Sequence, residues 1–177
     1  PTRRSSDLRG YFAADLGATQ FALPSAVDLL RSLRTQGQPV KPEMLQLAAT
    51  DPANPYGALL RWPDAGVSLT RSVGAQVILC DGVLLAYLRR GNPNVQVFLP
   101  EEGPQRSHEM KSLAEFLVRR VQAQEDESSR AGMLIATVNG VATAQHEMAR
   151  PLLDAGFAAG AMGFNVRRKT AASGGDA

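Results

Sequence analysis

The sequence lacks several features that mark familiar classes of protein. Cys80 is the single cysteine among 177 residues, which excludes an internal disulfide and a zinc site built from several cysteines. No apolar run approaches the roughly 18 residues that a transmembrane helix needs, and no signal-peptide pattern is present. We therefore expect a soluble, cytoplasmic protein with no metal site of this kind.

Lysine is scarce as well. The formal net charge is +2, from 19 basic and 17 acidic residues, and Lys41, Lys111 and Lys169 supply all of the lysine. The remaining basic residues are arginines, whose planar guanidinium suits phosphate. Nucleic acid is therefore one candidate partner, although a GC-rich genome that favours arginine codons explains the same composition.

Signatures of catalysis are also missing. The sequence has no GxxxxGK[ST] loop, no GxGxxG turn after a strand and no GxSxG elbow, so it shows no nucleotide site or activated serine. His108 and His146 fall in separate helix starts, where surface or capping roles are usual for a histidine. We assign no catalytic residue from these patterns.

The order of apolar and turn residues predicts an α+β fold. Residues 9–24 read as a hairpin that leads into a helix beginning at Pro24. Two apolar runs flank Asp81-Gly82, a strong hairpin signal, and both runs are apolar on both faces, so the sheet should be covered on both sides or curved around its own core. A helix is expected after Ser107, and "AQHEMARPLLDAG" reads as a helix interrupted by Pro151. We expect a small curved, mostly antiparallel, barrel-like sheet with two or three helices.

The stretch "LAATDPANPYGALLRWP", residues 47–63, is built to be rigid. Pro52 and Pro55 fix their own backbone and restrict the residues before them. Asp51 is a candidate for chemistry, although the side chain of an aspartate in such a loop more often caps a turn. Tyr56 and Trp62 are candidates for stacking on unpaired bases, with an apolar anchor as the favoured alternative.

Three pairs of adjacent arginines are the candidate nucleic-acid-binding residues. If they share a face, they form an electrostatic footprint for phosphate; otherwise they are ordinary solvated surface. The pairs are Arg89 and Arg90, Arg119 and Arg120, and Arg167 and Arg168.

Residues 9–168 resemble the C-terminal region of the long bacterial large helicase-related (Lhr) proteins, which are superfamily 2 ATP-dependent DNA helicases linked to DNA repair. The segments that carry the resemblance are "RGYFAADLGATQFALPSAVDLLRSLR", the 47–63 loop, "GAQVILCDGVLLAYLRRG" and "LLDAGFAAGAMGFNVR". The family's recurring loop signature falls here on Thr50, Asp51, Pro52, Asn54, Pro55, Tyr56 and Trp62.

The resemblance implies a domain plan. Residues 9–23 would be the last hairpin, or wing, of a winged-helix domain, with Tyr11, Phe12, Gln20 and Phe21 in matching positions. Residues 24–170 would form the C-terminal α+β domain. We expect residues 171–177 to be a disordered tail and residues 1–8, which look like sequencing-adapter read-through, to be non-native. The motor that binds ATP and Mg would lie upstream, so no cofactor is expected in this segment.

Three hypotheses of function follow. The first is an accessory DNA-binding and interaction domain whose partners are DNA and the upstream winged-helix and helicase domains of a cytoplasmic, nucleoid-associated protein. This segment would then have no enzymatic activity of its own. The second is part of a DNA glycosylase-like module, in which Asp51 or Gln20 orients water. The third is a structural cap without a ligand.

Overall fold

The structure, a computed structural model, describes residues 8–12, 17, 19–35, 43–123 and 132–168. No helix in these ranges is long and apolar enough to cross a membrane. The helices are α1 (Pro24–Thr35), α2 (Pro104–Ala123) and α3 (Ala149–Ala155). The strands are β1 (Leu8–Gly10), β2 (Gln20–Ala22), β3 (Met44–Ala48), β4 (Ala75–Cys80), β5 (Val83–Arg89), β6 (Asn94–Val97), β7 (Met133–Ile135), β8 (Thr137–Val138), β9 (Val141–Ala142), β10 (Ala158–Gly160) and β11 (Gly163–Val166).

The N-terminal strands form the hairpin that the sequence predicts. β1 pairs antiparallel with β2, with Arg9 opposite Phe21. Helix α1 follows at once, and the carbonyl of Leu23 accepts hydrogen bonds from the amides of Ala26 and Val27 at 3.0 and 3.2 Å. Pro24 begins this helix, where its missing amide hydrogen costs nothing.

The main sheet has six strands in the order β3-β4-β5-β6-β8-β9. All neighbours are antiparallel except β6 and β8, which are parallel because the chain between them crosses over through α2. Within the described ranges β3 and β9 are open edges and do not pair with each other, so no closed barrel is found. The α+β class is confirmed, and the barrel-like shape is not.

Both faces of the central strands are buried, as predicted. On one face, Ile78 and Cys80 pack with α2, α3 and the second sheet, whose order is β10-β11-β7. On the other, Val77 and Leu79 pack against side chains of the segment 49–69. Alternate residues of β4 therefore belong to two separate cores, which is why the strand has no polar face.

Two helix boundaries differ from the sequence prediction. α2 begins at Pro104 rather than after Ser107, because proline is well suited to the first turn of a helix. Pro151 does not interrupt a helix: it lies in the first turn of α3, and a separate 3₁₀ turn covers Thr143–Gln145. α3 ends at Gly156, as expected, with a left-handed φ of 113°.

Candidate nucleic-acid interface and the rigid loop

Helix α2 lies along β4 with its C-terminal half beside the start of that strand. Arg120, near the end of α2, donates a hydrogen bond from Nη2 to Gln76 Oε1 at 2.7 Å, and Gln76 is the second residue of β4. At the far end of β4, burial raises the pKa of the Cys80 thiol, and the charges of Asp81 and Glu109 raise it further. Glu109 belongs to the first half of α2 and is close enough to Cys80 to affect its pKa. That half of the helix therefore lies at the opposite end of the sheet from Arg120.

The three arginine pairs are linked by contacts at one end of the molecule. Arg89 is the last residue of β5 and pairs with Ala75 at the start of β4, and Arg90 follows it. Gln76 of β4 holds Arg120 of α2, and Gln122 of the same helix donates from Nε2 to the carbonyl of Arg167 at 3.0 Å. We call the surface around these contacts the arginine end; its residues are Arg89, Arg90, Arg119, Arg120, Arg167 and Arg168.

The arginine end carries exposed positive charge. Five of its six side chains are exposed, Arg120 being the half-buried exception. Within the described part of the chain, no carboxylate lies within ion-pair distance of any of the six guanidinium groups. Their contribution to phosphate binding remains a prediction.

Arg120 differs from its neighbours. Burial lowers its pKa, because removing a guanidinium from water disfavours the charged form, and its hydrogen bond ties α2 to the sheet. Arg119, the adjacent residue, is exposed. Arg120 therefore has a packing role that no local pattern of residues predicts.

Acidic side chains collect at the opposite end, which we call the acidic end: Asp81, Glu101, Glu102 and Glu109. Asp81 Oδ1 accepts a hydrogen bond from the amide of Glu43 at 2.8 Å. Arg106 binds the carboxylate of Glu147 and the carbonyls of Pro100 and Glu101. Among the described residues, these four carboxylates therefore lie at the other end of β4 and α2 from the arginine end.

The 47–63 loop is fixed by two buried or partly buried polar side chains. Asn54 is 1% exposed; its Nδ2 donates to the carbonyl of Ala49 at 2.9 Å, and its Oδ1 accepts from the amide of Tyr56 at 3.1 Å. Arg71 holds the loop from outside by donating to four of its main-chain carbonyls. These belong to Thr50, Asp51, Asn54 and Tyr56, at 3.4, 3.0, 2.6 and 3.2 Å.

The aromatic residues of the loop pack against one another and against the core below the sheet. Tyr56 stacks on Trp62 with ring centroids 6.3 Å apart, and Trp62 meets Tyr87 edge-on at 5.7 Å. The Tyr56 hydroxyl accepts a hydrogen bond from the amide of Leu84 at 3.0 Å. Trp62 also lies against Gly57, where an added Cβ would clash with the indole Nε1. Tyr56 and Trp62 therefore pack as partly buried apolar anchors, and stacking of unpaired bases on them stays a prediction.

The two candidate catalytic side chains are engaged in local turns. Asp51 Oδ1 accepts a hydrogen bond from the amide of Ala53 at 2.8 Å. Gln20 Oε1 accepts from the amide of Phe12 at 2.8 Å, and its Nε2 donates to the carbonyl of Gly17 at 3.3 Å. The contact of Asp51 is the turn-capping role that is the alternative to catalysis for this residue. Asp51 and Gln20 lie in separate parts of the fold.

Comparison with known proteins confirms the family resemblance. Residues 3–41 match the family model described as "Large helicase-related protein, winged-helix domain". A Mycolicibacterium smegmatis protein named "Lhr helicase/ probable uracil glycosylase" is 46% identical over 103 residues, which cover 56% of this chain and 7% of that protein. An Escherichia coli protein named "Lhr helicase/uracil glycosylase" is 32% identical over 161 residues, 89% of this chain and 10% of that protein.

These matches are consistent with a C-terminal region of an Lhr helicase. The chain spans a tenth or less of the length of either relative. The family match runs through β1, β2 and α1, whereas the predicted domain plan separates the hairpin from α1 at residue 23. That boundary remains a prediction, as does the non-native origin of residues 1–8. Residues 1–7 and the tail 171–177 lie outside the described residues.

Proposed function

We propose that this chain, which belongs to the Lhr family, is an accessory DNA-binding and interaction domain of an ATP-dependent DNA helicase that acts in DNA repair. Its role is to position duplex or displaced strand for the motor domains upstream, within a cytoplasmic, nucleoid-associated protein. The observation that carries the proposal is the arginine end, where arginines from β5, α2 and the chain after β11 lie at the same end of the molecule.

The physical argument is electrostatic. A protein that places arginines against phosphates releases condensed counterions, so its affinity for DNA falls steeply with salt. Exposed guanidinium groups that have no carboxylate within ion-pair distance among the described residues are available for such contacts. The acidic end would repel DNA, so the segregated charge favours approach with the arginine end forward.

The test is DNA binding by the 177-residue chain, titrated against salt. The first variant combines Arg89→Ala with Arg90→Ala. Since each lost phosphate contact lowers the salt slope by about 1, the expected result is a slope that is lower by up to about 2, with weaker binding to all sequences.

A matched control removes the same charge elsewhere. Lys111 and Arg150 are exposed cations that pair with Glu115 and Asp154 on their own helices. A Lys111→Ala, Arg150→Ala variant should leave the salt slope unchanged. An equal loss of slope in both double variants would show only a response to net charge and would contradict a localised DNA face.

A second candidate function is suggested by the names of the two relatives, both of which include uracil glycosylase. In this alternative Asp51 orients water in a catalytic module of the full-length protein. Asp64 is a matched control, because its Oδ1 accepts a hydrogen bond from the amide of Gly66 at 3.0 Å in a turn like that of Asp51. Loss of uracil excision with Asp51→Asn but not Asp64→Asn would support the alternative; equal rates in both would remove Asp51 from the chemistry.

A third candidate, a structural cap without a ligand, makes a different prediction. Deleting the segment from the full-length protein would then lower the free energy of unfolding and leave DNA affinity intact. A lower affinity with a shallower salt slope after the same deletion favours the accessory domain.

A further inference from the structure

Val73 is an apolar side chain in the middle of a charged surface. It is 94% exposed, more than any other large hydrophobic residue in the described part of the chain. It lies two residues before β4 begins at Ala75, at the end of the sheet where β5 finishes with Arg89. Burial in the core therefore does not explain why a valine occupies this position.

The segment that carries Val73 is a tight, well-supported turn. The amide of Ala75 donates to the carbonyl of Ser72 at 3.1 Å, and Gly74 has a φ of +81°. These features are those of a type II turn with Val73 at its second position, where proline is the usual choice and an apolar side chain is not required. Just before the turn, the carbonyl of Thr70 accepts a hydrogen bond from the Tyr87 hydroxyl at 3.0 Å.

Arginines flank the turn on both sides of Val73. Arg89 approaches Ser72, with Nη2 at 3.5 Å from Oγ. Arg90 donates its amide to the carbonyl of Gly74 at 2.8 Å. Val73 is therefore the apolar tip of a turn that is supported by two arginines. Arg89 contacts Ser72, the residue before Val73, and Arg90 contacts Gly74, the residue after it.

We infer that Val73 is a wedge that inserts between neighbouring base pairs of duplex DNA while Arg89 and Arg90 contact the phosphates on either side. Proteins that kink DNA insert apolar side chains between base steps, and the cost of unstacking is offset by additional contacts to the bent duplex. A small apolar side chain flanked by cations has the chemistry for that role. The inference rests on the proposed function and specifies what the domain does to the DNA it binds.

The experiment measures base unstacking directly, using the 177-residue chain and a duplex that contains 2-aminopurine, whose fluorescence rises when it is unstacked. The wild-type chain should raise the fluorescence at low salt. Val73→Ser should lose most of that rise and keep the salt slope of binding, because the arginines remain. Val73→Leu, which keeps an apolar tip, should retain the rise.

A matched control lies at the other end of the same hairpin. Val83 is 64% exposed and follows the Asp81-Gly82 turn at the acidic end, so Val83→Ser removes an exposed valine far from the arginines. It should behave as the wild type in both measurements.

The two possible failures are distinguishable. A full fluorescence rise with Val73→Ser, or a loss shared equally with Val83→Ser, would overturn the wedge and leave the DNA-binding proposal in place. The absence of salt-dependent binding by the folded wild-type chain would overturn the proposed function itself, and the wedge with it.

Discussion

The guanidinium of Arg71 donates a 2.6 Å hydrogen bond to the main-chain carbonyl of Asn54, a residue that lies 17 positions earlier and is itself buried. The Asn54 side chain fixes the inside of the loop, and Arg71 fixes the outside. The carbonyls that Arg71 satisfies all point towards one guanidinium, a geometry that suits its five donors and that a lysine ammonium does not reproduce.

Arg71→Ala should therefore destabilise the fold. Hydrogen bonds to a charged group contribute more than neutral ones, so the expected loss in unfolding free energy is about 2 kcal/mol, with Arg71→Lys in between. Urea denaturation measures it. Arg61→Ala, at an exposed position of the same loop, should change the value by less than about 0.5 kcal/mol. Equal effects at the two positions would show that Arg71 does not fix the loop.

Gly57 and Gly66 test the packing of Trp62. Both have positive φ, at 75° and 64°, but an added Cβ would meet Trp62 at Gly57 and open space at Gly66. Gly66→Ala should cost about 1 kcal/mol from backbone strain alone, whereas Gly57→Ala should cost at least about 2 kcal/mol more because the indole must move. Thermal unfolding of the two variants gives the difference, and a similar loss in both would mean that Trp62 is not held tightly.

The elements that the sequence predicts well are those with strong local signals. Asp81-Gly82 between apolar runs gives the β4–β5 hairpin, and the apolar residues on both faces of those runs give the two cores. The rigidity of the 47–63 loop follows from its prolines and from Asn54. The role of Arg71 could not be predicted from the sequence, because its partners are main-chain carbonyls that only the folded chain brings together.

The shortest strands leave no recognisable pattern of apolar and polar residues in the sequence. "MLIATVNG" reads as one strand, but the chain divides at Ala136 between β7 of the small sheet and β8 of the main sheet. Asn139, just beyond β8, takes a positive φ of 51°. Its side-chain amide bonds both the amide and the carbonyl of Val97, at 2.7 and 2.9 Å, and so imitates a further strand residue. Such long-range pairing is set by tertiary contacts and not by local residue preference.

The partly buried environment of His146 predicts a loss of stability on acidification. Its Nδ1 accepts a hydrogen bond from the amide of Met148 at 3.1 Å. Burial lowers its pKa, with smaller effects from the Glu147 charge, which raises it, and from Arg106, which lowers it. The unfolded chain, with an ordinary pKa near 6.5, therefore binds a proton more readily than the folded chain. The free energy of unfolding should fall as the pH drops through the ordinary histidine value of about 6.5.

The control for this prediction is His146→Asn, whose amide oxygen can accept the same hydrogen bond without titrating. It should flatten the curve in that window, and His108→Asn, at an exposed position, should not. A separate loss is expected at lower pH, because the Arg106 hydrogen bond lowers the pKa of Glu147 and its stabilisation disappears as the pH falls below the ordinary glutamate value. An unchanged curve with His146→Asn would assign the first loss to other groups.

Arg119 and Arg120 separate DNA binding from packing within one pair. Arg120 is half buried and bonded to Gln76, so Arg120→Ala should lower the free energy of unfolding by about 1.5 kcal/mol. Gln76→Ala should have a similar effect, and the double variant should lose little more, because both changes remove the same contact. Arg119→Ala should leave stability unchanged and lower the salt slope of DNA binding by about 1. The reverse pattern, with stability lost at Arg119 and the slope lost at Arg120, would mean that the guanidinium of Arg120 leaves Gln76 to meet phosphate.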